Sequence, residues 1–250
     1  MSQFRIDSRT KRQVLGNNSL VISPYDANAL EVAVQLKEKH GAKITAISIG
    51  GTAAVTALRS ALSMGADEAI LVNDPVLAGA DQHGIAAILA KTIRKAGAYD
   101  LILTGCESGD WADRAVPAFL AEELEIGYVG YVTRIEAGDG QVVVRRVVED
   151  GYELIEATTP LLTAISSDET NTARYAKLRD IMTAAKKIIP VWKAADLELD
   201  AEKFVPEAAM AAMTDVYIPV KESKCEMIEG NTPEEKAANL AARLRELKLI

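Results

Sequence analysis

The sequence predicts an α/β protein: a doubly wound, mostly parallel sheet with an antiparallel extension and a C-terminal arm. Three observations carry that expectation. Helix-period and strand-period segments alternate through the first half of the chain. Core-forming residues are mainly Ala, Val, Ile and Leu, with aromatics at only 5%, which suits parallel strands covered on both faces. Beyond residue 127, four short strand-like runs follow one another with turn residues between them. A chain of 250 residues, 49% apolar, can form one large domain plus an arm. The expected division is an α/β domain over 1–173, then a loop, an extended arm and a helix over 174–250.

Residues 1–22 read as an irregular start or small hairpin, with turn chemistry at Asp7-Ser8 and Gly16-Asn17-Asn18. Asp26 is expected to cap a helix in which Leu30, Ala33 and Val34 share a face, ending at His40-Gly41. Residues 43–49 read as a strand. Gly50-Gly51-Thr52 then turns into a second helix with Val55, Leu58 and Leu62 on its apolar face. A strand over 69–72 follows. Asp81 caps a third helix whose stripe is Ile85, Ile88, Leu89, Thr92, Ile93 and Ala96. A strand over 101–104, a loop over 105–113 and a helix over 114–125 complete the alternation.

The next four strands are expected over 128–136, 141–148, 152–158 and 161–165, with turns at Gly138-Asp139-Gly140 and Asp150-Gly151. Residues 175–230 show little periodicity and contain Pro190, Pro206 and Pro219, so they read as an arm lying on something else. Thr232-Pro233-Glu234-Glu235 combines a capping box with proline at the first helical position. Ala237, Leu240, Ala241, Leu244 and Leu247 make the stripe of that last helix, which docks on its own domain or on a partner subunit.

Charge and composition exclude several classes. A net charge of −8 with pI near 5.0 argues against nucleic acid, which needs a basic face. Cys106 and Cys225 form no Cys-x-x-Cys pattern, so the chain reads as a reduced cytoplasmic protein. His40 and His83 have no metal-ligand spacing. No segment approaches the roughly 18 apolar residues of a membrane span. The opening Met-Ser-Gln-Phe-Arg is polar and unlike a signal peptide.

Ligands of open α/β sheets sit beyond the carboxyl ends of the strands. Gly50-Gly51-Thr52 runs into a helix N-terminus, so it is either a phosphate contact or a plain turn. Asn73-Asp74-Pro75 reads as a turn. The third loop, 105–114, is glycine-flanked and polar. Arg114 there suits a phosphate, and Ser108 or Asp110 a ribose hydroxyl; alternatively Asp110 or Asp113 caps the next helix. No Gly-x-Gly-x-x-Gly or Walker loop occurs. Glu107, Asp110 and Asp113 lack a nucleophile or matched acid, and Cys106 reads as a small buried side chain. A hydrolase or transferase therefore lacks its parts. Residues 174–187 (Arg-Tyr-Ala-Lys-Leu-Arg-Asp-Ile-Met-Thr-Ala-Ala-Lys-Lys) carry no catalytic set and read as a surface presented to another protein.

Four stretches carry a family resemblance. They are Pro24-Tyr25-Asp26-Ala27-Asn28-Ala29-Leu30-Glu31, Ala61-Leu62-Ser63-Met64-Gly65-Ala66-Asp67-Glu68-Ala69-Ile70, Asp100-Leu101-Ile102-Leu103-Thr104-Gly105, and the run 174–187. Together they resemble the beta subunit of electron transfer flavoproteins over nearly the whole chain. The resemblance implies a fold like the adenine nucleotide alpha hydrolases. It also implies a heterodimer with an alpha subunit that holds FAD, moving electrons between flavin-dependent acyl-CoA dehydrogenases and a downstream acceptor. The beta subunit of most members holds AMP structurally; bifurcating members hold a second FAD there, which takes hydride from NADH. The implied nucleotide contacts are Ser23, Ile49, Gly50, Gly105, Ser108, Asp110, Arg114 and Val116. The implied partner contacts are Tyr175, Leu178, Ile181 and Met182, with Leu178 as the anchor, and no catalytic or metal site is implied. An NADH-oxidising bifurcating subunit and a non-redox nucleotide-binding module are the rival readings.

Two departures from the family pattern are visible. Where the pattern resembles Asp-Gly-Asp-Thr-x-Gln-x-Gly, this chain has Asp110-Trp111-Ala112-Asp113-Arg114-Ala115-Val116-Pro117. Pro117 removes a backbone donor, and Arg114 is expected to supply a compensating charge. Ser108-Gly109-Asp110 resembles the nitrogen-fixation and carnitine-associated branch. Secondly, members open with an apolar strand central in the sheet, and Phe4-Arg5-Ile6-Asp7 resembles the residues after it. Strands flanking that position are expected to keep unpaired backbone groups, at roughly 1–3 kcal/mol for each buried one, unless the sheet rearranges or another segment fills the place.

Overall fold

The computed structural model describes residues 5–7, 9, 14, 20–138, 140–211, 213, 215–218 and 225–250. Two compact units divide the chain: 15–214, and 1–14 with 215–250.

The larger unit begins its regular structure with α1 (Pro24–His40). Proline at the first position presets the helical φ. Asp26 is not the cap: it lies in the first turn, and its carboxylate accepts the Gly105 N–H at 2.8 Å. β1 (Thr45–Ile49) leads through a 3₁₀ turn, Thr52–Ala54, into α2 (Val55–Met64), and then to β2 (Glu68–Val72). α3 (Gln82–Ala96) starts where expected, with the Asp81 carboxylate accepting the Gly84 N–H at 2.9 Å. β3 (Leu101–Gly105) and α4 (Val116–Leu124) follow. The next run is β4 (Gly127–Ala137), β5 (Gln141–Val148), β6 (Gly151–Thr158) and β7 (Leu161–Ile165). Gly151, at φ 141°, makes the β5–β6 turn that Asp150-Gly151 announced.

The stretch expected to be irregular after residue 174 holds two regular elements: α5 (Leu178–Lys186) and β8 (Val191–Trp192). β8 pairs in parallel with β2, and Ala184, Leu197 and Phe204 of this stretch are buried.

The core is layered as a doubly wound fold requires. On one face Leu30 and Val34 of α1 and Leu58 and Leu62 of α2 pack together against Leu71, with Ala46 beside them. On the other, Ala86 and Ala90 of α3 and Leu120 of α4 pack with Leu162, next to Ile47 and Ile102. Strand order is β1-β2-β8 in one parallel sheet and β3-β7-β4-β5-β6 in the other. In the second sheet β3, β7 and β4 are parallel, and β5 and β6 extend it antiparallel. β7 has neighbours on both edges and all five of its residues are buried, which explains its unbroken Leu-Leu-Thr-Ala-Ile.

Among the described residues no ladder joins β1 to β3, so each is the edge of its sheet, and every β1 residue is only half-buried. The parallel array is thus in two pieces that share the covering helices. Cys106 donates to the Ile165 carbonyl, so the preceding Gly105 N–H points away from β7, and it is this donor that Asp26 satisfies. A helix side chain substitutes there for a strand partner.

In the smaller unit, the Val14 N–H bonds the Arg5 carbonyl at 2.8 Å. The expected turn at Gly16-Asn17-Asn18 lies outside the described residues. α6 (Pro233–Glu246) is capped by Thr232 Oγ1, which accepts the Glu235 N–H at 3.2 Å. The returning Glu235 carboxylate takes the Asn231 N–H at 2.8 Å, one residue earlier than a standard capping box. No residue of α6 is buried.

Candidate functional site

The loop over 106–115 leaves β3 and folds back onto the start of α1. Gly105 permits the approach: a Cβ there would lie 2.8 Å from Tyr25 Cβ and 3.0 Å from the Asp26 nitrogen. At Gly109 a Cβ would meet Pro24 Cδ at 3.1 Å and Ser23 Oγ at 3.3 Å. Ser23 Oγ is buried without a hydrogen-bond partner, although Ser23 immediately precedes α1. Thr104 Oγ1, one residue before Gly105, is also buried and unpartnered. Buried hydroxyls cost free energy unless something satisfies them.

The loop's own polar groups are largely occupied. Ser108 Oγ accepts the Asp113 N–H at 3.2 Å and the Trp111 N–H at 3.4 Å. Asp110 accepts the Trp111 N–H at 2.8 Å. Asp113 accepts the Ala115 N–H at 2.8 Å and bonds Gln82 at the start of α3. Ser108, Asp110 and Asp113 therefore shape the loop. Ala112 completes it in the left-handed region at φ 53°.

Arg114 is exposed yet engaged. Its Nε pairs with Glu107 Oε2 at 2.6 Å, and its Nη1 donates to the Tyr131 hydroxyl at 3.4 Å. Tyr131 has φ 57° and sits at an irregularity of β4 between Val129 and Val132. The charge of Glu107, then that of Cys106, pushes the Tyr25 phenol up. Burial first, then Glu107, pushes the Cys106 thiol up, which keeps it a neutral, unreactive side chain.

The predicted nucleotide contacts divide as follows. Ser23, Gly105, Ser108, Asp110 and Arg114 converge on the loop over α1, and Val116 opens the helix after it. Ile49 and Gly50 sit at the end of β1, where the Gly50 N–H bonds the Val72 carbonyl at 3.0 Å. The Gln82–Asp113 bond places the carboxyl ends of β2 and β3 along one edge, so the Gly50 turn faces the same side. Buried hydroxyls, glycine-cleared backbone and one guanidinium fit the sugar and phosphate of a nucleotide. Pro117, buried in the first turn of α4, withholds one N–H from any anion there. A cavity of about 460 Å³ lies at the opposite strand ends, lined by Asp67, Lys95, Tyr99, Lys187 and Trp192. None of its lining comes from the loop, and it lies on the wrong side of the sheet for the switch-point rule.

A second surface lies at α5. Arg174 reaches Glu31 of α1 at 2.7 and 2.9 Å and Glu38 at 2.5 Å. Glu31 is 5% exposed; burial raises its carboxyl, yet hydrogen bonds from Arg174 and Gln35 outweigh that and hold it below the usual range. At the far end, Arg59 of α2 bonds the Ala184 and Lys187 carbonyls, and Lys187 Nζ bonds the Asp67 carbonyl at 2.7 Å. Ala184 is buried, which seats α5 on α2. Between these anchors the predicted partner contacts all point outward: Tyr175 is 98% exposed, Leu178 74%, Met182 59% and Ile181 48%. Ile188, at 91%, extends the patch and carried no sequence signal. Glu31, Glu38, Arg59, Tyr25 and Tyr131 likewise gave no sign of their roles, because their partners are remote in sequence; Glu107 was visible as one of three loop carboxylates, but not as the partner of Arg114 seven residues on.

Among the described residues no His, Cys, Asp and Glu cluster suits a metal, and no helix is long and apolar enough to cross a membrane. The sequence profile described as the electron transfer flavoprotein domain matches residues 14–197. An electron transfer flavoprotein subunit beta of Thermoanaerobacterium thermosaccharolyticum is 39% identical, the match covering 100% of this chain and 95% of that protein. The caffeyl-CoA reductase-Etf complex subunit CarD of Acetobacterium woodii is 34% identical over the same shares, 100% and 95%. Protein FixA of Azotobacter vinelandii is 32% identical, with 96% of this chain and 87% of that protein covered.

Proposed function

The chain belongs to the electron transfer flavoprotein beta-subunit family, and from that premise we propose that it carries electrons as half of a heterodimer with an FAD-bearing alpha subunit. The donors in this reading are flavin-dependent dehydrogenases of CoA thioesters, and the electrons pass to a downstream acceptor. The observation that carries it is the pinned apolar surface of Tyr175, Leu178, Ile181 and Met182, clamped at both ends by charged side chains and offering no reactive group. A solvent-facing apolar patch on an anchored short helix is what a hot spot for a protein partner requires. The relative whose name places it in a caffeyl-CoA reductase complex supports a CoA-thioester enzyme as the partner class.

The flavin of the partner subunit supplies the electron-carrying chemistry. This chain's contribution is to dock, orient and cover. Ser23, the Gly105 and Gly109 backbone, and Arg114 would hold a nucleotide such as AMP in the loop over α1, where it ties β3 to α1. Co-expression with an alpha-type subunit, followed by flavin and nucleotide extraction, tests the reading. The expected result is a one-to-one complex with one flavin and one AMP. Two flavins per complex would instead place a redox-active FAD in this subunit, and a chain that ignores the alpha subunit would refute the proposal.

A further inference from the structure

Arg114, the one guanidinium in the 106–115 loop, is already partnered. Its Nε lies 2.6 Å from Glu107 Oε2, and the Arg114 side chain is 61% exposed above a Glu107 side chain that is 16% exposed. Arg114 thus lies over Glu107 like a cover. Its remaining anchor is the Tyr131 hydroxyl at 3.4 Å. That tyrosine is held at φ 57°, a conformation costly for a bulky side chain, at an irregularity of β4 that turns its phenol toward the loop. Beneath the pair, Glu107 neighbours Tyr25 and Cys106, close to where Ser23 Oγ is left without a partner.

We propose that Glu107 is a built-in competitor for Arg114, holding the guanidinium in the free protein and yielding it to the phosphate of an adenine nucleotide. This rests on the nucleotide reading above and specifies how that site discriminates. A phosphate at the loop must exchange places with the Glu107 carboxylate, and then share the site with that displaced like charge. The nucleoside part meets no such exchange. Glu107 therefore weakens phosphate-bearing ligands selectively, and the site's affinity is set by an Arg114 partner swap rather than by Arg114 alone.

Calorimetric titration of AMP and adenosine into the full-length chain tests this, using wild type, Glu107→Gln, Arg114→Ala and the double variant. Glu107→Gln is expected to tighten AMP about three- to tenfold, the scale of losing one partly exposed ion pair and a like charge, with adenosine changing less than about twofold. Arg114→Ala is expected to weaken AMP about tenfold, and the gain from Glu107→Gln should shrink in that background, since the two residues are coupled. Glu107→Ala, checked by circular dichroism, gives the same reading if the glutamine variant folds poorly. AMP that binds wild type but binds both Glu107 variants no more tightly would overturn the competitor role while leaving the nucleotide site standing. Absence of AMP and adenosine binding in all of the proteins would overturn the site itself, and this inference with it.

Discussion

Arg174 shows how one side chain fixes a surface. It spans Glu31 and Glu38 of α1, and Glu31 is nearly out of solvent. Removing the Arg174 side chain leaves that carboxylate buried with only the Gln35 amide and the residue-174 backbone N–H, at 3.3 Å, to hold it. Arg174→Ala is expected to lower stability at neutral pH by about 1–3 kcal/mol, a figure that discounts the part of Arg174 facing water. Urea denaturation checks it. The pH dependence has a definite sign. Glu31 is held below its ordinary 4.5 in the folded chain, so its contribution is present above that value and is lost as pH falls through the folded pKa. The gap between wild type and Arg174→Ala should therefore be full at pH 7 and shrink below about pH 4.5. Gly105 supplies a second residue-level test. An alanine Cβ would be 2.8 Å from Tyr25 Cβ and 3.0 Å from backbone nitrogen, and helix α1 cannot yield cheaply. Gly105→Ala should cost roughly 1–3 kcal/mol in the same assay. The sequence marked Arg174 and Gly105 as notable, but the reasons stayed hidden, since Glu31 and Asp26 are far away along the chain.

At the scale of elements, α5 shows what residue spacing reveals and what it hides. Leu178, Ile181 and Met182 recur at helical spacing, yet they face water, and only Ala184 is buried. Helical spacing marks a helix whichever way its stripe faces; what the sequence could not show is that this stripe faces water. β8 was illegible because it is two residues long and owes its existence to β2. By contrast β7, with five buried residues, and α3, with its Asp81 cap, were plain, because burial and capping leave local marks. α5 depends on Arg59, which bonds the Ala184 and Lys187 carbonyls at its C-terminal end. Arg59→Ala should release that end and raise amide hydrogen exchange over 178–187 while α3 stays protected. Unchanged exchange there would show that Ala184 packing and the Lys187 bonds to the Ala66 and Asp67 carbonyls seat the helix without Arg59.

At the scale of the whole molecule, the doubly wound layers place two candidate surfaces on one scaffold. The loop over α1 lies at the carboxyl ends of the strands, and α5 is held on α2. Composition and alternation were enough to predict the layers. They left no mark of the missing ladder between β1 and β3 among the described residues; the resemblance to a family with a central first strand is what pointed to unpaired strands there. In the proposed reading the chain works through what it clasps and what docks on it. Leu178, 74% exposed with no role in the core, is the residue on which that claim turns. Leu178→Ala should leave the thermal midpoint within about 1 °C of wild type, as expected for an exposed position. The deciding measurement is stopped-flow electron transfer from a reduced flavin dehydrogenase to the heterodimer. With Leu178→Ala, the half-saturating concentration of heterodimer should rise about tenfold, an anchor lost from a small interface, while the flavin potential stays the same. An unchanged concentration dependence would contradict the account, because the peg would then hold nothing.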